Sequence, residues 1–144
     1  MPLHLVKLCV GCDSIADLRD WIAENRDAAL ARGETYEQTH TTRSTPRRSA
    51  EILEGGSLYW VIRGAIQVRQ RITAIRPVVG ADGIGRCRLV LDHAGLVATA
   101  LRPMRPFQGW RYLSAEAAPP DTGAVGGDEL PEALRMELSR LGLL

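Results

Sequence analysis

The chain has 144 residues, 45% hydrophobic and 24% charged, which suits one globular domain with one core. Its apolar runs are too short for a membrane span, and the stretch 3–10 lacks a small-residue cleavage site, so a cytoplasmic protein with no membrane attachment is expected. Three cysteines argue against a disulfide framework, and the net charge of +1 hides an uneven spread: residues 1–42 sum to −3, 43–111 to +8 and 112–144 to −4. The basic middle is a candidate anion-binding surface. Seventeen of its eighteen cations chain-wide are arginine, whose planar fork suits phosphates and bases. A GC-rich coding sequence would also explain the arginine excess, though not its clustering.

Leu3 to Val10 reads as a first strand, apolar on both sides and therefore central, ended by Gly11. Ser14-Ile-Ala-Asp17 has the spacing of a capping box and opens a helix with Ile15, Leu18, Ile22 and Ala29 as its buried stripe. Trp21 flanks that stripe and Gly33 is the residue after the C-cap. Glu37 to Arg43, polar and β-branched, predicts an edge or cleft-facing strand. Thr45-Pro46 predicts an N-cap and first position of a short helix reaching Leu53, stopped by Gly55-Gly56.

Gly55 to Arg76 forms the centre: two strands joined at Gly64. Leu58, Trp60 and Ile62 alternate with Tyr59, Val61 and Arg63; Ile66, Val68, Gln70, Ile72 and Ala74 alternate with Gln67, Arg69, Arg71 and Thr73. Period two with one apolar face predicts half-buried strands. After a turn at Gly80 to Gly83, Arg86 to Leu91 buries Cys87, Leu89 and Leu91 and exposes Arg86 and Arg88. Hairpinned back, it would gather Arg69, Arg71, Arg86 and Arg88. Such a face costs stability unless an anion binds it or the side chains fan into water.

Leu96 to Leu101 and Phe107 to Leu113 are further strands. The prolines of Arg102-Pro-Met-Arg-Pro106 lack an N–H and place that segment outside any sheet. Ser114 to Ala118 reads as a helical turn and Pro119 to Asp128 as a mobile loop. A helix from Glu129 or Pro131 to Leu141, with Leu134, Leu138 and Leu141 on one side, ends the chain. The order predicts an α+β domain round a curled, mixed β-barrel with flanking helices. Residues 1–118 form the barrel domain and 119–144 a loop and helix packed on it.

No strong catalytic motif is present: no nucleophile elbow, no P-loop, no His-Glu-x-x-His. Cys9-Val-Gly-Cys12 has the spacing of a redox pair or half a zinc site, with Cys12 before a helix start. Structural zinc needs four ligands, and Cys87, His4, His40 and His93 lack ligand spacing. No metal, cofactor or catalytic residue is therefore assigned, and Cys9 reads as buried. His93 belongs to a turn, and His40 is either packed or a base near Arg43. Trp60 is core or stacking platform; Trp110, beside Arg111, has the same two readings.

The segments Met1 to Gly11, Gly55 to Gly64 and Pro106 to Leu113 resemble a small bacterial family of unknown activity. Ser14-Ile-Ala-Asp-Leu18, the segment Thr41 to Arg48, the pair from Gly55 to Ile75 and Arg111-Tyr-Leu-Ser-Ala-Glu116 resemble, in order, the EVE and ASCH domains of the PUA-like superfamily. Gly56-Ser57 stands where those domains usually carry Gly-Asp. The resemblance covers roughly residues 3–118 and implies binding of RNA, DNA or a modified base in a cleft between barrel and early helices. It points to Arg43, Arg47, Trp60, Arg63, Gln108, Trp110 and Arg111 as contacts, with Arg69 and Arg71 added from the cationic strand face. Two other readings stand beside it: a small hydrolase-type enzyme on a nucleotide-like or amide substrate with His40 or Glu51 as base, and a protein-interaction adaptor using the acidic terminal helix.

Overall fold

The computed structural model describes residues 2–125. Its elements are β1 (His4–Leu8), α1 (Ile15–Ala31), β2 (Gln38–Thr42), α2 (Ser49–Ile52), β3 (Ser57–Ile62), β4 (Ala65–Val79), β5 (Gly85–Leu91), β6 (Val97–Pro103), β7 (Trp110–Leu113) and β8 (Asp121–Ala124). The predicted terminal helix lies outside the described residues.

β4, 15 residues long, is the spine of an eight-stranded sheet. Its first half pairs with β3 and β6, its second half with β5. The Ile72 N–H donates to the Gly56 carbonyl, while the Arg71 carbonyl accepts from Asp92 N–H. Neighbouring residues point their backbone groups to opposite edges of a strand. β5 and β6 therefore succeed each other along the edge away from β3. β2 adds to β5 and β8 to β6, while β1 joins β3 in parallel and β7 joins β1.

The mixed α+β class agrees with the sequence, but the sheet is open and not a closed barrel. Between β2 and β7 there is no ladder. The chain leaving β2 enters the Thr45-Pro46 bend and α2, and among the described residues no strand completes the ring.

Local chemistry explains most elements. Ser14 Oγ accepts from Asp17 N–H at 3.1 Å, and the Asp17 carboxylate takes the Asp13 N–H at 2.9 Å. Gly33, at φ +73°, ends α1 as Glu34 N–H reaches back to the Ala29 carbonyl. Arg63 and Gly64, at φ +51° and +77°, make the two-residue turn whose twist suits a hairpin. α2 starts at Ser49, later than predicted, because the Ser49 hydroxyl donates to the Pro46 carbonyl and Pro46 stays outside the helix. β6 runs on through Pro103, a position at the strand end where a missing donor is tolerated. The segment predicted as a loop after Pro119 contains β8, paired with β6.

Both faces of β3 are buried, not one. Leu5, Leu58, Trp60, Ile62, Val68 and Leu89 meet Ile15, Leu18 and Ile22 of α1 and Ile52 of α2 on the larger side. Val6, Tyr59, Val61, Ile66, Phe107 and Leu113 form a smaller core on the other. The predicted stripe on β4 is split by a bulge. Trp60 lies opposite Val68 but Val61 opposite Ile66, leaving Gln67 as the extra residue. Ile66 thus enters the smaller core and Val68 the larger. A second register shift spans Thr73.

Three buried polar side chains lock the larger core. Gln70 Oε1 accepts from Trp60 Nε1 at 2.9 Å and from Gln38 Nε2 at 3.2 Å. Gln70 Nε2 donates to Gln38 Oε1 at 2.7 Å and to the Asp92 carbonyl at 3.2 Å. Gln70→Leu keeps the volume but strands all of these groups away from water. The expected cost is about 3 kcal/mol, read as a lower urea midpoint at unchanged slope. His4 is another buried polar group, with Nδ1 accepting from Ser57 N–H at 2.9 Å. Burial, aided by nearby Arg69, pulls its pKa down and keeps it neutral.

Candidate functional site

The gap between β2 and β7 is bridged by side chains. Trp110 Nε1 donates to the Ser44 carbonyl at 2.9 Å, and Arg48 N–H donates to Tyr112 Oη at 3.2 Å. Trp110 and Tyr112, two apart on β7, share one face, with rings edge-to-face at 5.0 Å. Lys7 stands opposite Trp110 in the β1–β7 register.

A cleft of about 790 Å3 opens along this seam. Its cations are Lys7, Arg43 and Arg47, its rings Trp110 and Tyr112, and its amide Gln108. Thr41, Thr42, Ser44 and Thr45 supply hydroxyls, and among the described residues no carboxylate lines it. Thr42 Oγ1 donates to the Ser44 carbonyl at 3.0 Å and steadies the bend that presents Arg43. Burial pulls the Lys7 pKa down. Arg48 is committed elsewhere: it grips Glu51 at 2.6 and 3.0 Å and lies 5.7 Å from the Tyr112 ring centre. The same ion pair holds the Glu51 carboxyl below its usual range, which makes it a weaker proton acceptor.

Four of the sequence-selected residues therefore meet in one place: Arg43, Arg47, Gln108 and Trp110. The rest stand apart. Trp60 is buried, bonded to Gln70, and faces His40 with ring centres 5.3 Å apart. Arg63 is exposed in the β3–β4 turn. Arg111 is exposed and covers the Phe107 ring at 4.5 Å. Arg69 is clamped by Asp121 at 2.7 Å through both Nε and Nη2, and reaches Ser57 Oγ at 2.9 Å. Arg71 is exposed on β4.

The expected arginine quartet does not gather as predicted. The hairpin forms, but its register sets Arg76 opposite Arg88, and Arg69 and Arg71 lie on the other half of β4. Arg76 pairs with Glu37 at 2.7 Å and Arg86 with Asp82 at 2.7 Å. One acid distant in sequence, Glu37, and one from the adjoining turn, Asp82, thus neutralise part of that face.

Sequence reasoning missed Lys7, Tyr112 and the hydroxyl row as partners of Arg43. The available signal was Lys7 itself: a lone lysine in an apolar strand, in phase with Leu5.

A second cavity, about 560 Å3, lies next along β2. Cys9, Cys12, His40 and Trp60 line it, with Asp17, Asp20 and Glu24 from α1. Burial first, then the charge of Lys7, lowers the His40 pKa and keeps the ring neutral. Among the described residues no group of three or more His, Cys, Asp or Glu side chains is placed to hold a metal ion. No helix among them is long and apolar enough to cross a membrane.

Comparison with curated proteins and with solved structures returns no match. Residues 5–144 match the model of the family described as a protein of unknown function, DUF1489, and the chain belongs to that family.

Proposed function

We propose that the chain is a nucleic-acid-binding module that holds single-stranded RNA in the seam cleft. The carrying observation is that three cations and two aromatic rings line one cleft of about 790 Å3 with no carboxylate among the described residues that line it. Lys7, Arg43 and Arg47 neutralise phosphates, Trp110 offers its ring for stacking and Gln108 an edge for hydrogen bonds. The element order and the eight-stranded mixed sheet with its two helices support reading the fold as PUA-like, of EVE or ASCH type. Three free cysteines suit a reducing cytoplasm.

The test is a filter-binding titration with single-stranded RNA and DNA of mixed sequence. Three phosphate contacts give a log–log salt slope near −2, or about a twentyfold loss of affinity between roughly 50 and 200 mM salt. RNA is expected to bind more tightly than DNA. Absence of any binding at the low-salt end overturns the reading.

A further inference from the structure

β1 leaves the sheet at Cys9, whose N–H still donates to the Val61 carbonyl at 2.9 Å. The next three residues reverse the chain, and Cys12 N–H reaches back to the Cys9 carbonyl at 3.4 Å. Gly11, third in this turn, has φ +84°, the value that the third position of a type II turn requires. The ends of a β-turn lie within about 7 Å of each other, and a disulfide needs Cα atoms about 4.4–6.8 Å apart. The Cys12 thiol is near enough to Cys9 to help push the Cys9 thiol pKa up, after burial. Both are half-buried and line the same open cavity, so a small solute can reach them. Cys87, by contrast, is fully buried in the larger core. Among the described residues no third group stands with this pair to hold a metal ion, and the chemistry open to the two thiols is two-electron thiol–disulfide exchange.

We propose that Cys9 and Cys12 form a reversible intramolecular disulfide, made by exchange with a low-molecular-weight disulfide that enters through the second cavity. Burial, the Cys12 thiol and Asp17 keep the Cys9 thiol protonated, so Cys12 attacks first. The Cys12 thiolate bonds to one sulfur of the small disulfide and expels the other half as a thiolate. Cys9 sulfur then bonds to Cys12 sulfur, the mixed disulfide breaks, and the second small thiolate leaves, taking up the Cys9 proton. The protein loses two electrons and the small disulfide becomes two thiols. The new bond ties the end of β1 to the start of α1, at the rim of the cavity that holds His40.

The whole chain, equilibrated in stepped ratios of reduced to oxidised glutathione, acid-quenched, unfolded and alkylated with N-ethylmaleimide, reports the state by mass. All three cysteines take the label in reducing mixtures; in oxidising ones the protein takes a single label, which peptide mapping places on Cys87. Cys9→Ser is expected to accumulate a glutathione adduct on Cys12, because the resolving thiol is gone. Three labels at every ratio, a lasting glutathione adduct on the unaltered chain, or a bond that includes Cys87 overturns the proposal.

Discussion

Gly56→Ala is expected to destabilise the fold by about 3 kcal/mol or more and to lower Tm by roughly 10 °C. Gly56 sits where α2 ends, β3 begins and β1 passes. Its N–H donates to the Ile52 carbonyl at 2.6 Å and its carbonyl accepts from Ile72 N–H at 3.0 Å. A methyl group there would press on the Leu3 carbonyl, and would lie 2.5 Å from the Ile52 carbonyl oxygen and 3.1 Å from Ile52 Cα. All three are backbone atoms, which cannot rotate aside as a side-chain tip would. Relief requires moving β1 or α2, and Leu3, Leu5 and Ile52 belong to the larger core. Gly85 is the matched control: a methyl group added there meets nothing within 4 Å. Thermal and urea unfolding of the two variants decides the matter; equal stability would mean that the α2–β1 junction is loosely packed.

The second large effect concerns binding. Arg43→Glu combined with Arg47→Glu is expected to reduce RNA affinity about a hundredfold at low salt, and to flatten the salt slope from near −2 to about −0.7. Both arginines are exposed and have no ion-pair partner among the described residues, so Tm should hardly move. Arg71→Glu combined with Arg88→Glu makes the same charge change on exposed β4 and β5 positions outside the cleft. If both pairs weaken binding equally, the attraction comes from the basic middle of the chain at large, and the seam has no special part in it.

The sequence made some features legible because their causes are local. Ser14, Asp17 and Gly33 bracket α1 within a few residues of the backbone groups they satisfy. The β3–β4 hairpin follows from alternation and from Gly64. Single-residue slips are not legible this way: nothing in Gln67 marks it as the residue that sends Ile66 and Val68 to opposite sides. Nor do arginines announce their partners, since Arg69 meets Asp121 and Arg76 meets Glu37 across dozens of residues. The cleft shares that difficulty. Arg43 and Trp110 were visible as candidates, but their meeting depends on β7 joining β1 and on the bend after β2, which brings Ser44 under the indole.

β4 belongs to both wings of the sheet, with β3 and β6 on its first half and β5 on its second. Neither wing can melt without tearing strands from the spine of the other. The described part of the molecule is therefore one cooperative unit, whose backbone amides along β4 are the last to trade their protons with solvent.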